Sequence, residues 1–441
     1  MKTMKPIWLS LLVLTGALPG TRGEDATTDT SFRTNINPAL LYYQAFLVAP
    51  NLEPADQEYL WGTNNFRGQP LSPRIGELLA KYDAQFRLVR RAAHAAVPCD
   101  WGIDTSAGPD ALVPHLARAK AVVQTARLRA MWALQHGRPA DACQDLAAAL
   151  ALGRNVSRDG TLISVLVQIA VEAITCNAIA ENFGQFPPEA LQQLIADLDA
   201  APPPGTAAAA VLNGEKSFGD WASRGILKLR RENPGNDPKV MEGIRRLLGL
   251  AEPPPAEEDL WDRLTQAAGG TSEGMLKLLQ ERARMYERVA ALLALPYPEY
   301  ESQVEAFSAE VEKSPNPFIS TGIPSFLKSP AKEFRIQVES AMVRAAVEYK
   351  LHGEQGLQSV ADPCGTGPFA FQRFVFQGVD RGFELKSPFD AGGFQQVLIF
   401  VEKEGPPFFI DGPHAGEAVP RPISAKEAFR RRYGLDERGK Q

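Results

Sequence analysis

The hydrophobic pattern changes period near Pro363, and that change limits the fold more than any other feature of the chain. Upstream, apolar residues recur every three to four positions between proline and glycine breaks. Downstream, aromatic and β-branched residues form short runs. The first pattern is that of helices with one buried face, the second that of strands. The chain is therefore expected to be mainly α-helical, an irregular helical bundle with helical hairpins. It should end in a small C-terminal α+β module with an antiparallel sheet of three or four strands.

Within the helical part, Asn37-Pro38 and Ser72-Pro73 read as starts, since Asn and Ser cap helices and Pro fits the first turn. Leu40, Tyr43 and Leu47 follow the first. Ile75, Leu78, Leu79, Tyr82, Phe86 and Val89 follow the second and predict one helix running until Pro98. Asp110 opens the next, through Val122, Leu128 and Trp132 to Gly137. Glycine suits the left-handed conformation after a helix, and Pro139 begins another, on which Ala142, Leu146 and Ala149 allow close packing. Thr161 to Phe183 is apolar on nearly all sides, but Gln168, Glu172 and Asn177 make it a central bundle helix rather than a membrane span. Ala201-Pro202-Pro203-Pro204 and Glu252-Pro253-Pro254-Pro255 are breaks around more polar helices. In the last helix, Phe334, Val338, Met342, Ala345, Ala346 and Tyr349 share a face.

The expected organisation is a signal peptide over 1–23, a helical domain over 24–200, a second helical segment over 201–330, an α+β module over 331–423 and a basic tail over 424–441 that reads as a short helix. The signal-peptide reading rests on Lys2 and Lys5, the apolar run Ile7 to Leu18, and small residues before a cut after Gly23. That run is too short for the ~20 residues a spanning helix needs. The chain is expected to be exported, periplasmic or extracellular, and soluble after cleavage. A net charge of -5 argues against nucleic acid as the main partner. An oxidising compartment permits a disulfide among Cys99, Cys143, Cys176 and Cys364, with no pairing assigned.

Asp362-Pro363-Cys364-Gly365-Thr366-Gly367-Pro368-Phe369, with Phe371 and Arg373, then Gly382-Phe383-Glu384-Leu385-Lys386-Ser387 and Asp390-Ala391-Gly392-Gly393, resembles the C-terminal module of type II secretion major pseudopilins. Cys364 replaces the usual aromatic and the family's calcium loop is poorly matched, so no metal site is carried over. The Gly137 turn with Ala142 and Ala149 resembles the second half of one tetratricopeptide repeat, without a second copy at the repeat period. Asn37-Pro38-Ala39 and Cys99-Asp100-Trp101-Gly102, in an alanine-rich helical chain, resemble a broad group of exported bacterial proteins without assigned activity. That resemblance implies a fold and an address only.

No catalytic, cofactor or metal motif stands out. Glu348 and His352 share a helix face but lack a third ligand. His94 and Cys99 flank Pro98, where a structural loop explains them better than a base and a nucleophile. Glu172 should pair with Arg127, Arg129 or Arg154, because a buried charge needs a partner. Asn155-Val156-Ser157 fits a glycosylation acceptor, relevant only in a eukaryotic secretory pathway. The basic pairs Arg230-Arg231 and Arg245-Arg246 and the run Arg430-Arg431-Arg432 read as solvated faces. The expected function is a non-enzymatic envelope protein acting through a protein partner. The alternative is a hydrolase with its site in a cleft between helical segments, and a pilus-like assembly ranks third.

Overall fold

Asn37 starts the first helix as expected: its Oδ1 accepts from Ala39 N at 3.0 Å. The computed structural model describes residues 35–419, except 62–65, 67–68, 105–106, 109–110, 252–258 and 391–393. The signal-peptide segment, the Asp110 start, the Asp390 glycine loop beyond its first residue, and the basic tail lie outside the described residues. The first half contains α1 (Pro38–Leu47), α2 (Pro54–Trp61), α3 (Pro73–Ala80), α4 (Asp83–Ala93), α5 (His115–Gln135), α6 (Pro139–Val156), α7 (Leu162–Glu181) and α8 (Pro188–Ala200). Next come α9 (Ala207–Glu232), α10 (Asp237–Leu247), α11 (Leu260–Ala267), α12 (Ser272–Leu293), α13 (Tyr297–Glu312), α14 (Pro317–Phe326) and α15 (Pro330–Gln358), which breaks at Gly353. Strands β1 (Ala370–Phe376), β2 (Val379–Asp390) and β3 (Gln395–Val401) form an antiparallel sheet in the order β1-β2-β3.

The single helix predicted from Ser72 towards Pro98 is two helices. The chain tightens at Lys81 and Tyr82, whose N–H groups donate three residues back, to Leu78 and Leu79. The step leaves Tyr82 and Phe86 buried together. Side-chain spacing alone does not register such a step, since the apolar face continues across it.

The α5–α6 hairpin turns at Gly137, whose φ of +68° suits a residue without Cβ. Arg138 N donates to Ala133 O at 2.8 Å and closes the helix end. Ala142, Leu146 and Ala149 are buried against α5 or its neighbours.

Helix α7 lies at the centre, against α5, α6, α9, α15 and β3. It is long and apolar enough to cross a membrane by length and composition, and half of that stretch is buried inside the fold. Its polar residues all have internal partners. Gln168 Oε1 accepts from Gly205 N at 2.8 Å, Asn177 Nδ2 donates to Asp411 Oδ2 at 3.2 Å, and Glu172 Oε1 accepts from Arg154 Nε at 3.1 Å. Of the three arginines named for Glu172, Arg154 is the partner. Arg127 pairs instead with Glu181, and Arg129 with Asp83 and Asp145.

Three clusters of buried apolar side chains hold these elements. One joins α1, α3, α4 and parts of α5 to α7. A second joins α9, α10 and α12, with Leu264 of α11. The third is continuous from α6, α7 and α8 through α12 to α15 and the sheet, where Phe383 stacks on Phe400 at 5.2 Å and Phe183 meets both edge-on at 5.2–5.7 Å. Gly184 meets the backbone of Glu402 so closely that no side chain fits there, and this seats the end of α7 on β3. Phe408-Phe409-Ile410 does not form a full fourth strand: Ile410 O accepts from Ile399 N at 2.8 Å, Leu398 and Asp411 form an isolated bridge, and the Phe408 ring packs on Phe374 and Phe376 at 4.7 and 5.1 Å. Pro406 and Pro407 precede it and cannot donate to a ladder.

Candidate functional site

The small residues of α6 leave a groove of about 600 Å³ between α4 and α8. Ala140, Cys143, Ala147, Ala148 and Ala151 form its floor. Both neighbouring helices pack on α6, yet side chains this short do not fill the space between them. α8 turns Leu191 and Leu194 inward, and Glu189, Gln193 and Asp197 therefore stand on the groove side. α4 contributes Arg90, Ala93 and His94, while Pro139 and Pro187 close one end. The recess is apolar below and polar at its rim, within the size range of ligand sites.

The α4 wall is held by a network of charges. Arg90 Nε donates to Asp145 Oδ1 at 2.7 Å, and Arg90 Nη1 to Gln144 Oε1 at 2.7 Å. Arg129 Nε donates to Asp145 Oδ2 at 2.9 Å and its Nη1 to Asp83 Oδ1 at 2.7 Å. Arg138 lies 3.0 Å from Asp141. Three guanidiniums thus face three carboxylates, and this side is balanced. Burial lifts the Asp145 carboxyl above its ordinary range, although Arg129 and Arg90 pull it back. The α8 rim is different. Asp197 accepts from Gln193 Nε2 at 2.8 Å, and neither it nor Glu189 has a cationic partner among the described residues. The groove therefore carries uncompensated negative charge along one edge.

A second recess of about 300 Å³ lies between the α5–α6 turn, the end of α7 and the end of β3. Several of its charged groups are already engaged. Glu181 pairs with Arg127 at 2.7 Å, and Arg381 donates to Lys403 O at 2.8 Å and to Pro406 O at 3.0 Å. His136 stacks on Trp132, their ring centres 3.8 Å apart. Among the described residues, its lining has no serine, threonine, cysteine or tyrosine. It therefore lacks the hydroxyl or thiol that covalent catalysis by those residues needs.

The residues singled out in the sequence do not converge. Cys99, Cys143, Cys176 and Cys364 are all buried as free thiols, and no two of them are bonded. Cys143 Sγ donates to Ala190 O at 3.3 Å, Cys176 lies 3.8 Å from Ser340 Oγ, and Cys364 sits in the turn where its N–H donates to Asp362 Oδ1 at 2.9 Å. Burial pushes Cys99 and Cys364 up to about 12 and Cys143 up to about 11, and also raises Cys176. These are inert thiols at neutral pH. His94 is exposed while Cys99 is buried. Glu348 Oε2 and His352 Nε2 lie 3.6 Å apart on one helix face, the imidazole exposed and the carboxylate half-buried. Among the described residues, no group of three His, Cys, Asp or Glu side chains is placed to hold a metal. Asn155 is buried, donating to Tyr42 Oη at 3.1 Å, so the glycosylation motif is not presented at the surface. Arg230 pairs with Glu273 and Arg246 with Glu242.

Gln144, Ala147, Glu189 and Asp197 carry no motif. They meet only because three helices converge, and the one sequence signal that bears on them is the run of alanines on α6.

Set against protein-family models, curated proteins and solved structures, the chain matches no family model, no curated protein and no solved structure.

Proposed function

We propose that this is an exported, non-enzymatic envelope protein that docks a cationic helical segment of a protein partner in the groove between α4, α6 and α8. The observation that carries the reading is the combination of an alanine floor with the unpaired carboxylates Glu189 and Asp197 on one rim. A floor of small side chains accepts bulky apolar groups from an incoming helix, the helix-in-groove mode of recognition. The rim carboxylates favour lysine or arginine on the same segment and disfavour acidic ones. Export is supported by the signal-like pattern of residues 1–23.

The test is site-specific photo-crosslinking. A photoreactive side chain at Gln193, on the rim, is irradiated in the envelope fraction and the attached peptide is sequenced. The reading expects one partner, attached through a helical segment rich in Lys and Arg. It also expects Ala147→Trp, which fills the floor, to abolish the product. A product unaffected by Ala147→Trp, or attached through an acidic segment, would overturn the reading.

A further inference from the structure

The smaller recess, between the α5–α6 turn and the ends of α7 and β3, holds a buried charge without a counter-charge. Arg381 of β2 is 3% exposed and lines this recess. We propose that the recess binds a small ligand through a single carboxylate, which seats on the Arg381 guanidinium. The site is separate from the groove between α4, α6 and α8 and does not depend on it.

Neutral groups hold Arg381 in place. Its Nε donates to Lys403 O at 2.8 Å, its Nη1 donates to Pro406 O at 3.0 Å, and its guanidinium carbon lies 5.2 Å from the centre of the Phe408 ring. Gly405 makes room for it, since a Cβ there would fall 2.6 Å from Nη1. Carbonyl oxygens and a ring face orient a guanidinium but carry no net charge to offset it. Among the described residues no carboxylate pairs with Arg381, and its Nη2 has no hydrogen-bond acceptor. Burial pulls the guanidinium below its ordinary range, and no neighbouring acid offsets this. A buried charge ordinarily has a counter-charge, and a planar carboxylate binds the open edge of a guanidinium through two parallel hydrogen bonds.

The rest of the lining selects the ligand. Leu71, Met131 and Val401 offer apolar surface to a short aliphatic body. The Leu71 side is fixed, because Leu71 N donates to Gln135 Oε1 at 2.9 Å and Gln135 Nε2 donates to Gln69 O at 3.1 Å. Gln185 also lines the recess, and its carboxamide has no hydrogen bond among the described residues, so it is available to donate to the ligand. Glu181, Glu402 and Glu404 share the lining, the first paired with Arg127 and the second with Arg373. These acids oppose a doubly charged phosphate more strongly than a singly charged carboxylate. A volume of about 300 Å³ is at the lower limit of ligand sites and fits a molecule the size of one or two amino acids. A free organic acid and the C-terminus of a peptide share this chemistry.

The experiment follows the Met131 methyl resonance in the full chain labelled at its methionine methyl groups, with the assignment made by Met131→Leu. Isocaproate stands for a free acid and N-acetylglycyl-leucine for a peptide C-terminus. Isocaproamide and inorganic phosphate are the controls. At least one of the two acids should shift the Met131 signal saturably, and neither control should. A shift with isocaproate alone assigns the site to free acids, and one with the dipeptide alone assigns it to peptide C-termini. Arg381→Gln should abolish the shift. Because Arg381 also anchors the Lys403 and Pro406 carbonyls, Gln185→Glu provides a second variant that leaves those contacts in place. It adds a like charge beside the carboxylate and should weaken binding about ten-fold. A Met131 signal unmoved by both acids, an equal shift with the amide or with phosphate, or binding indifferent to Gln185→Glu would overturn the inference.

Discussion

Asp145 receives the guanidiniums of Arg90 and Arg129 at 2.7 and 2.9 Å, one on each carboxylate oxygen. Its side chain is 2% exposed. One residue of α6 thereby ties the floor of the groove to its α4 wall and to α5. Asp145→Asn leaves the neighbouring guanidiniums short of a compensating charge in a buried site. We expect a loss of about 3–5 kcal/mol in urea unfolding. A loss below about 1 kcal/mol would mean that the network is loosely held.

Asn37 and Asp100 exchange two hydrogen bonds across 63 residues: Asn37 Nδ2 donates to Asp100 O at 2.6 Å, and Asp100 N donates to Asn37 Oδ1 at 3.1 Å. The same Oδ1 caps α1. Next to Asp100, the Trp101 indole donates to Asn155 O at 2.7 Å and stacks on buried His115. Asn37→Ala removes a cap and a loop anchor together, so it should cost about 1–2 kcal/mol in the same assay. Asn37→Asp keeps the cap and should lose less.

Glu215 of α9 lies 2.6 Å from Arg282 of α12, and Arg282 stacks over Phe218 and Tyr286. Burial outweighs the attraction of Arg282 and lifts the Glu215 carboxyl from 4.5 to about 7. A carboxyl raised in the folded state favours folding while it is protonated. That contribution is complete below about pH 4.5 and is lost as pH rises through about 7. The packing of α9 on α12 should therefore weaken between pH 5 and pH 8, by on the order of 3 kcal/mol at most. Hydrogen exchange across α9 and α12 at the two pH values reads it. Glu215→Gln should remove the dependence.

The four buried thiols give a direct chemical check. Under non-reducing conditions the folded chain should react slowly with a thiol reagent and the chain in guanidinium should titrate all 4 cysteines. A titre of two in denaturant would show a disulfide.

Much of the architecture was legible in the sequence, because amphipathic spacing reports burial directly. The faces of α7 and α15, the Gly137 hairpin and the strand runs after Pro363 follow from it. Glu172 could be predicted to find an arginine, although choosing Arg154 needed the packing of α6 on α7. The groove was not legible. Its floor is alanine, which is equally at home buried or exposed, and its rim comes from a helix about 50 residues further on. The turn at Lys81–Tyr82 escaped for a related reason, since the apolar face runs on through it. Of the three or four strands expected, three form; whether Phe408 would add the fourth turned on the backbone donors missing at Pro406 and Pro407, which side-chain periodicity does not report.

The central claim is that the groove of α4, α6 and α8 receives a cationic helix. Hydrogen–deuterium exchange of the chain with and without a synthetic amphipathic helical peptide bearing arginines beside an apolar face tests it most directly. The account predicts new protection confined to residues 83–94, 139–151 and 187–201, abolished by Ala147→Trp and weakened by Asp197→Lys. Protection elsewhere, or equal protection in the Ala147→Trp chain, would contradict it.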